Sequence, residues 1–221
     1  MSYQLTVSND LINNPSPRCA CMVILDTSAS MGGAPIQQLN DGFAHFIQSL
    51  QQDEVAACSV EVSVITAGGN VSEQLAFTTA MDIQSCPRFS ASGGTPIGEA
   101  VNVALQKLEK RKHDYQKNGV AYYQPWLVII SDGEPTDVWQ SAASASRQLS
   151  QNRKLVVLPI GVENADLGKL SQFSSRPAKA LQGLKFNEFF EWLSASMSRV
   201  SASASTSSSV QLPPTSGWDS I

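Results

Sequence analysis

Val23-Ile24-Leu25-Asp26-Thr27-Ser28-Ala29-Ser30-Met31 opens as an apolar run and ends in a carboxylate followed by two hydroxyls at alternate positions. A strand buried inside a parallel sheet reads as a continuous apolar run, and Cys19 to Leu25 has that character. Asp26 then falls at the strand's C-terminal edge, where open α/β sheets place their ligands. Asp26, Ser28 and Ser30 lie on a strand-to-helix loop and can converge on one point. Hard oxygen donors around one point suit a small hard cation such as Mg2+.

Outward from this stretch the chain alternates strand and helix signals. Pro35 opens a helix at a position where proline is tolerated, and Ile36, Leu39, Phe43, Phe46, Ile47 and Leu50 give it one apolar face. Cys58 to Thr66 reads as a strand, Gly68-Gly69-Asn70 as a turn, and Val71 to Phe77 as the hairpin partner. Pro96 opens a second helix whose buried face is Ile97, Val101, Ala104, Leu105 and Leu108, with the basic cluster Lys107 to Lys112 placed at its C-terminus. Trp126 to Ile130 repeats the opening pattern, an apolar run ending in Ser131-Asp132-Gly133. A helix over Asp137 to Leu149, a strand over Leu155 to Ile160, a short helix near Ala165 to Phe173, a short strand at Leu181 and a final amphipathic helix from Phe186 to Val200 complete the series. The expected fold is a three-layer α-β-α Rossmann-like domain, its central sheet mostly parallel with one antiparallel hairpin strand and helices on both faces.

Residues 1–18 read as an N-terminal extension, with a short edge strand at Tyr3 to Val7 and a turn at Asn13-Asn14-Pro15. The domain occupies 19–200. The Ser/Ala tract after it reads as a linker, and residues 210–221 regain apolar side chains that can dock back. The 221 residues, 42% of them apolar, suffice for one sizeable core, and the net charge of −4 is scattered without the basic stripe of a nucleic-acid binder. No apolar run approaches the ~20 residues of a membrane span. Met1 to Arg18 shows no apolar leader region, which places the protein in the cytoplasm with its four cysteines reduced.

Three separated elements therefore carry oxygen donors at sheet-edge positions: Asp26, Ser28 and Ser30; Thr95 in Gly93-Gly94-Thr95-Pro96; and Asp132. Taken singly each has a plainer role, Thr95 as a helix cap, Asp132-Gly133 as a turn and the first loop as a helix entry. Taken together they resemble the metal-ion-dependent adhesion site of von Willebrand factor A domains. The wider run of motifs, Asp26 to Met31, Gly93 to Ala100, Tyr122 to Trp126, Ser131 to Asp137 and the closing Leu212-Pro213-Pro214 with Gly217-Trp218, is similar to the bacterial tellurium-resistance type of these proteins. The resemblance implies that Ser28, Ser30 and Thr95 offer hydroxyls to a metal, that Asp26 and Asp132 hold metal-bound waters and supply charge, and that a protein partner contributes an Asp or Glu. Mg2+ is the expected ion, with Mn2+ or Ca2+ as alternatives. It also implies a stress-response adaptor working beside a Ser/Thr kinase and a metal-dependent, PP2C-type phosphatase.

An enzyme is not expected. A haloacid-dehalogenase-like phosphohydrolase needs a second Asp two residues after the first, where this chain has Ser28; there is no phosphate-binding loop lysine after Gly93-Gly94-Thr95 and no nucleophile elbow. A Mg2+-dependent phosphohydrolase is kept as the alternative. A third reading is a scaffold regulated through its tail, with Ser201, Ser203, Ser205, Thr206, Ser207, Ser208 and Ser209 as candidate phosphoacceptors. Glu134, Thr136 and Asp137 read as caps of the helix that follows them. All four cysteines read as small buried side chains, and Asp219 is weighed as a ligand for the metal of its own or a neighbouring copy.

Overall fold

The computed structural model describes residues 11, 13–132, 134–163, 165–215 and 217–220; the strand expected at Tyr3 to Val7 lies outside them. In chain order the elements are β1 (Cys19–Asp26), α1 (Ala34–Gln52), α2 (Glu54–Ser59), β2 (Val60–Gly68), β3 (Asn70–Thr79), α3 (Ile97–Lys117), β4 (Trp126–Ser131), α4 (Gln140–Gln151), β5 (Val156–Gly161), α5 (Leu167–Leu170), β6 (Lys179–Leu181), α6 (Phe186–Ser201) and β7 (Asp219–Ser220). One sheet runs β3-β2-β1-β4-β5-β6-β7. Strands β2, β1, β4, β5 and β6 are parallel, and β3 returns antiparallel to β2 as the sequence predicts. The two-residue β7 adds a second antiparallel edge strand on β6, one that periodicity does not reveal because it is too short to show any.

β1 lies at the centre, paired with β2 on one side and β4 on the other. All eight of its residues are buried. Its side chains alternate between two apolar layers. Cys19, Cys21, Val23 and Leu25 face a core shared with α1 and α6, whereas Ala20, Met22 and Ile24 face one shared with α3 and α4. Parallel strands covered on both faces need no polar side, which is why this run is continuous rather than alternating.

Several boundaries differ from the sequence reading. Cys58 belongs to α2, capped by Asp53, whose side chain accepts from the Val55 and Ala56 amides; a good Asp cap in front of Glu-Val-Ala-Ala outweighs the β-branched run that begins at Val60. α3 continues to Lys117, so Lys107 to Lys112 is mid-helix rather than terminal, and within it Arg111 is buried. Cys19 and Cys21 are buried, with the Cys19 thiol pushed up to about 12 by burial and then by the charge of Glu61. Cys58 is half-buried and Cys86 is exposed in the loop before α3, so the expectation of a buried residue fails for Cys86.

The C-terminal stretch returns to the domain. Trp218 is buried, with its ring 5.0 Å from Phe189 and 5.3 Å from Trp192 of α6. Trp192 Nε1 donates to the Pro213 carbonyl at 2.9 Å. Asp219 forms an ion pair with Lys179 on β6, which removes it as an intramolecular ligand at the first loop. Trp218→Ala is expected to cost about 3 kcal/mol, the low end for a buried Trp because the strap can peel away instead of leaving a void. Urea denaturation checks this; a midpoint shift worth under ~0.5 kcal/mol would mean that the strap contributes nothing to the core.

Candidate functional site

β1 delivers Asp26 to the C-terminal edge of the sheet, and the chain there is held by its neighbours. The Thr27 amide donates to the Ala67 carbonyl at the end of β2, and the Thr27 carbonyl accepts from the Ser92 amide. The Ala29 amide donates to Gly93 O at 2.9 Å, and the Gly69 amide to Gly94 O at 2.7 Å. Three loops are thus stitched side by side. One close approach makes the stitching work. A Cβ on Gly93 would lie 2.4 Å from the Gly69 Cα, and Gly93 has a φ of +68°, which disfavours any other residue. We expect Gly93→Ala to move the Ser90–Thr95 loop and to cost more than the ~1 kcal/mol of an unstrained glycine-to-alanine change in the reverse direction, measured by thermal unfolding; an unaltered Tm would show that the loop tolerates the shift.

Asp26 is buried at the floor. Its Oδ1 accepts from the Ser28 amide at 2.9 Å and its Oδ2 from the Ser131 hydroxyl at 2.6 Å. Burial pushes its carboxyl above the usual aspartate range; hydrogen bonds from Ser131 and Ser28 oppose that, and the charge of Asp132 pushes the same way as burial. Ser28 is buried and Ser30 exposed, with their hydroxyl oxygens 2.8 Å apart. Thr95 is buried, its amide donating to Thr136 Oγ1 and its carbonyl accepting from the Thr136 amide, both at 2.9 Å. Ser28, Ser30, Thr95 and the half-buried Asp132 line one open depression of about 450 Å³, together with Gly93, Gly94, Glu134, Thr136 and Glu163. Four of the five residues predicted from sequence therefore meet in a single depression, and the fifth, Asp26, is hydrogen-bonded to the Ser28 amide beneath it.

The residues beyond Asp132 act differently from the sequence expectation. Asp137 does not cap the helix that follows. Its carboxylate accepts from the Gly98 amide at 3.1 Å and the Glu99 amide at 2.7 Å, so it caps α3 from across the site while Thr95 makes no cap. Thr136 braces Thr95, and Glu134 pairs with Lys169 at 2.8 Å on the rim. Ser131 and Glu163 were not singled out by sequence reasoning. Ser131 is visible in the Ser-Asp-Gly turn, but only the crossing from β4 to β1 shows that its hydroxyl reaches Asp26. Glu163 adopts a φ of +54°, a conformation that non-glycine residues seldom hold without a reason.

The donor set fits a hard divalent cation. Two carboxylates that repel one another stand beside three hydroxyls, and among the described residues no Lys, Arg or His is paired with either Asp26 or Asp132. No cluster of three His, Cys, Asp or Glu side chains suited to a metal occurs among the described residues, so a metal here depends on hydroxyl oxygens. That composition favours Mg2+ or Mn2+ over ions that prefer imidazole or thiolate. Neither histidine lines the depression.

A central, mostly parallel sheet with a hydroxyl-and-carboxylate rim at its C-terminal edge defines a Rossmann-like α/β domain. More closely, the chain belongs to the von Willebrand factor type A domain family, whose model matches residues 21–192. No curated protein is a significant match by sequence. Among solved structures it is similar to proximal thread matrix protein 1 from the mussel byssus with a zinc-occupied metal-ion-dependent adhesion site, at a TM-score of 0.57 and 15% identity over 83% of this chain and 48% of that one. It is also similar to the pilus adhesin SpaC of Lactobacillus rhamnosus GG, at a TM-score of 0.68 and 12% identity over 84% of this chain and 31% of that one. A third similar structure is the ArnB paralog VWA2 of Sulfolobus acidocaldarius, at a TM-score of 0.57 and 14% identity over 81% and 45%. The chain thus spans about half the length of the mussel and archaeal proteins and about a third of the adhesin. At these identities the likeness is one of fold. Von Willebrand A domains are generally interaction modules rather than enzymes, and no helix among the described residues is long and apolar enough to cross a membrane.

Proposed function

We propose that this protein is a divalent-cation-dependent protein-interaction module. Ser28, Ser30 and Thr95 would hold Mg2+ or Mn2+, with Asp26 and Asp132 supplying negative charge close by. The bound ion supplies Lewis acidity toward an anionic oxygen, so the partner is a protein that presents an Asp or Glu side chain. The chain's own residues do the positioning: Ser131 and the Ser28 amide fix Asp26, and Thr136 fixes Thr95. The observation that carries this reading is the meeting of Ser28, Ser30, Thr95 and Asp132 in one open depression directly above a buried Asp26. The depression's openness to a protein side chain, and the absence of a histidine or cysteine from its lining, support binding over hydrolysis. The zinc-occupied site in the mussel protein of the same fold supports metal binding in this domain type.

The finer reading is a cytoplasmic adaptor of the bacterial tellurium-resistance type, working beside a Ser/Thr kinase and a PP2C-type phosphatase. It is supported by the motifs shared with that type and by four unpaired cysteines, which suit a reducing compartment. Affinity capture from source-cell lysate, with and without chelator and beside the Ser28→Ala/Ser30→Ala variant, tests the proposal. Partners that disappear in both conditions are expected; an identical set in all samples would rule out metal-dependent binding.

A further inference from the structure

A second recess lies at the opposite edge of the sheet from Asp26 and Asp132, at the N-terminal end of β5. It encloses about 670 Å³, and a neighbouring recess of about 390 Å³ shares Gln124, Val156, Arg153 and Arg176 with it. Arg153 follows α4 and Arg176 precedes β6, so two distant segments bring arginines to one groove. Neither arginine has an ion pair among the described residues, and no carboxylate lines either recess. In a chain of net charge −4, a groove with two cations and no counter-charge is not background. The rest of the lining is hydroxyl-rich. Ser150 and Ser175 oxygens lie 2.7 Å apart on one side, and three consecutive serines, Ser207, Ser208 and Ser209, form the other wall.

Arg153 sits at a φ of +54°, closing the C-terminus of α4, where its amide donates to Ser150 O and the next amide to Leu149 O. Glycine or asparagine fills such a position at less cost.

We infer that this groove is a receptor for a phosphate monoester, held by Arg153 and Arg176. A monoester carries nearly two negative charges and three strong acceptor oxygens. Guanidinium forks match that geometry, and the serine hydroxyls add neutral donors. The phosphate has two possible sources. One is a phosphorylated compound or peptide from solution. The other is the chain itself, phosphorylated at Ser207, Ser208 or Ser209. In that case a protein kinase transfers the terminal phosphoryl group of a nucleoside triphosphate: an Oγ–P bond forms, the P–O bond to the departing diphosphate breaks, and the hydroxyl proton passes to the kinase's base. The three serines already line the groove, so the modified side chain needs no journey to reach the arginines.

Two arms test this on the full chain by NMR of the arginine Nε–Hε signals. In the first, O-phospho-L-serine is titrated into the unmodified protein, with serine and chloride as controls. In the second, phosphoserine is encoded at position 208. Saturable shifts of the Arg153 and Arg176 signals in the titration, or displaced signals in the phosphoserine-208 chain relative to the unmodified one, support the receptor, and the arm in which they occur names the source. In the second arm, added phosphoserine is expected to shift them no further. Each of Arg153→Gln and Arg176→Gln is expected to weaken the titration about tenfold, and both residues are exposed, so the fold is retained. Titration shifts that do not saturate or that chloride reproduces, with no displaced signals in the phosphoserine-208 chain, or no shifts in either arm, overturn the inference.

Discussion

Replacing both rim hydroxyls, Ser28→Ala with Ser30→Ala, is expected to abolish stabilisation by Mg2+ or Mn2+ while leaving the metal-free protein nearly unchanged. A ligand that binds only the folded chain adds about 2.7 kcal/mol at a hundredfold excess over its dissociation constant. For a domain of this size that is a rise of roughly 5–10 °C in Tm. The two hydroxyl oxygens lie 2.8 Å apart, Ser28 also bonds to the Asp26 carboxyl, and Ser30 is exposed, so their loss removes little apolar packing. Asp26 is the poorer choice for this test. Its carboxylate accepts from Ser131 and from the Ser28 amide, and removing it would disturb β4 and the loop together. Differential scanning calorimetry of the unsubstituted and doubly substituted chains, with metal and with chelator, reads the effect. A metal-induced rise of equal size in the double variant would sink the site as drawn.

How much of this could be read beforehand depends on the range of the interactions. β1 and β4 were legible because an apolar run ending in Asp is a local pattern, and the sheet edge follows from it. The placement of Asp26, Ser28, Ser30, Thr95 and Asp132 at strand ends and sheet-edge loops was legible because the apolar runs and the Gly-Gly-Thr-Pro turn mark those boundaries locally. Asp137 was not: a carboxylate just ahead of a helix reads as that helix's cap, and only the packing of Asp137, Val138 and Trp139 over Gly98 turns it toward α3. Gly98 itself gives the reason, since a Cβ there would meet the Trp139 Cα at 2.6 Å. Lys107 to Lys112 misled for a related reason. A basic cluster after an apolar face looks like a helix end, but Arg111 is turned inward to a charge fifty residues away, and no local window contains both partners.

That partner is the subject of the second large effect: Glu61→Ala is expected to destabilise the protein by about 3–5 kcal/mol. Glu61 is fully buried on β2. Arg111 grips both its oxygens, Nε to Oε2 at 2.7 Å and Nη2 to Oε1 at 2.8 Å, and Arg18 Nε lies 3.1 Å from Oε1. The Tyr115 hydroxyl donates to Oε2 at 2.5 Å; burial first, then the Glu61 charge, holds that hydroxyl well above the usual tyrosine range. Truncating Glu61 removes the buried carboxylate that Arg111, Arg18 and Tyr115 share, and Arg18 is also committed to the Cys58 and Asn14 carbonyls, which tether the segment before β1. Truncating Arg111 instead leaves the carboxylate with Arg18 and Tyr115, so Arg111→Ala should cost less than Glu61→Ala although it removes the larger side chain. The half-exposed Lys107–Glu73 pair on the same helix provides the contrast: breaking it should cost under ~1 kcal/mol and less in high salt. Urea denaturation of the three variants at low and high ionic strength measures all of these. A Glu61→Ala loss below ~1 kcal/mol, or one that salt removes, would mean that water reaches this cluster and that the charge is not paired in a dry core.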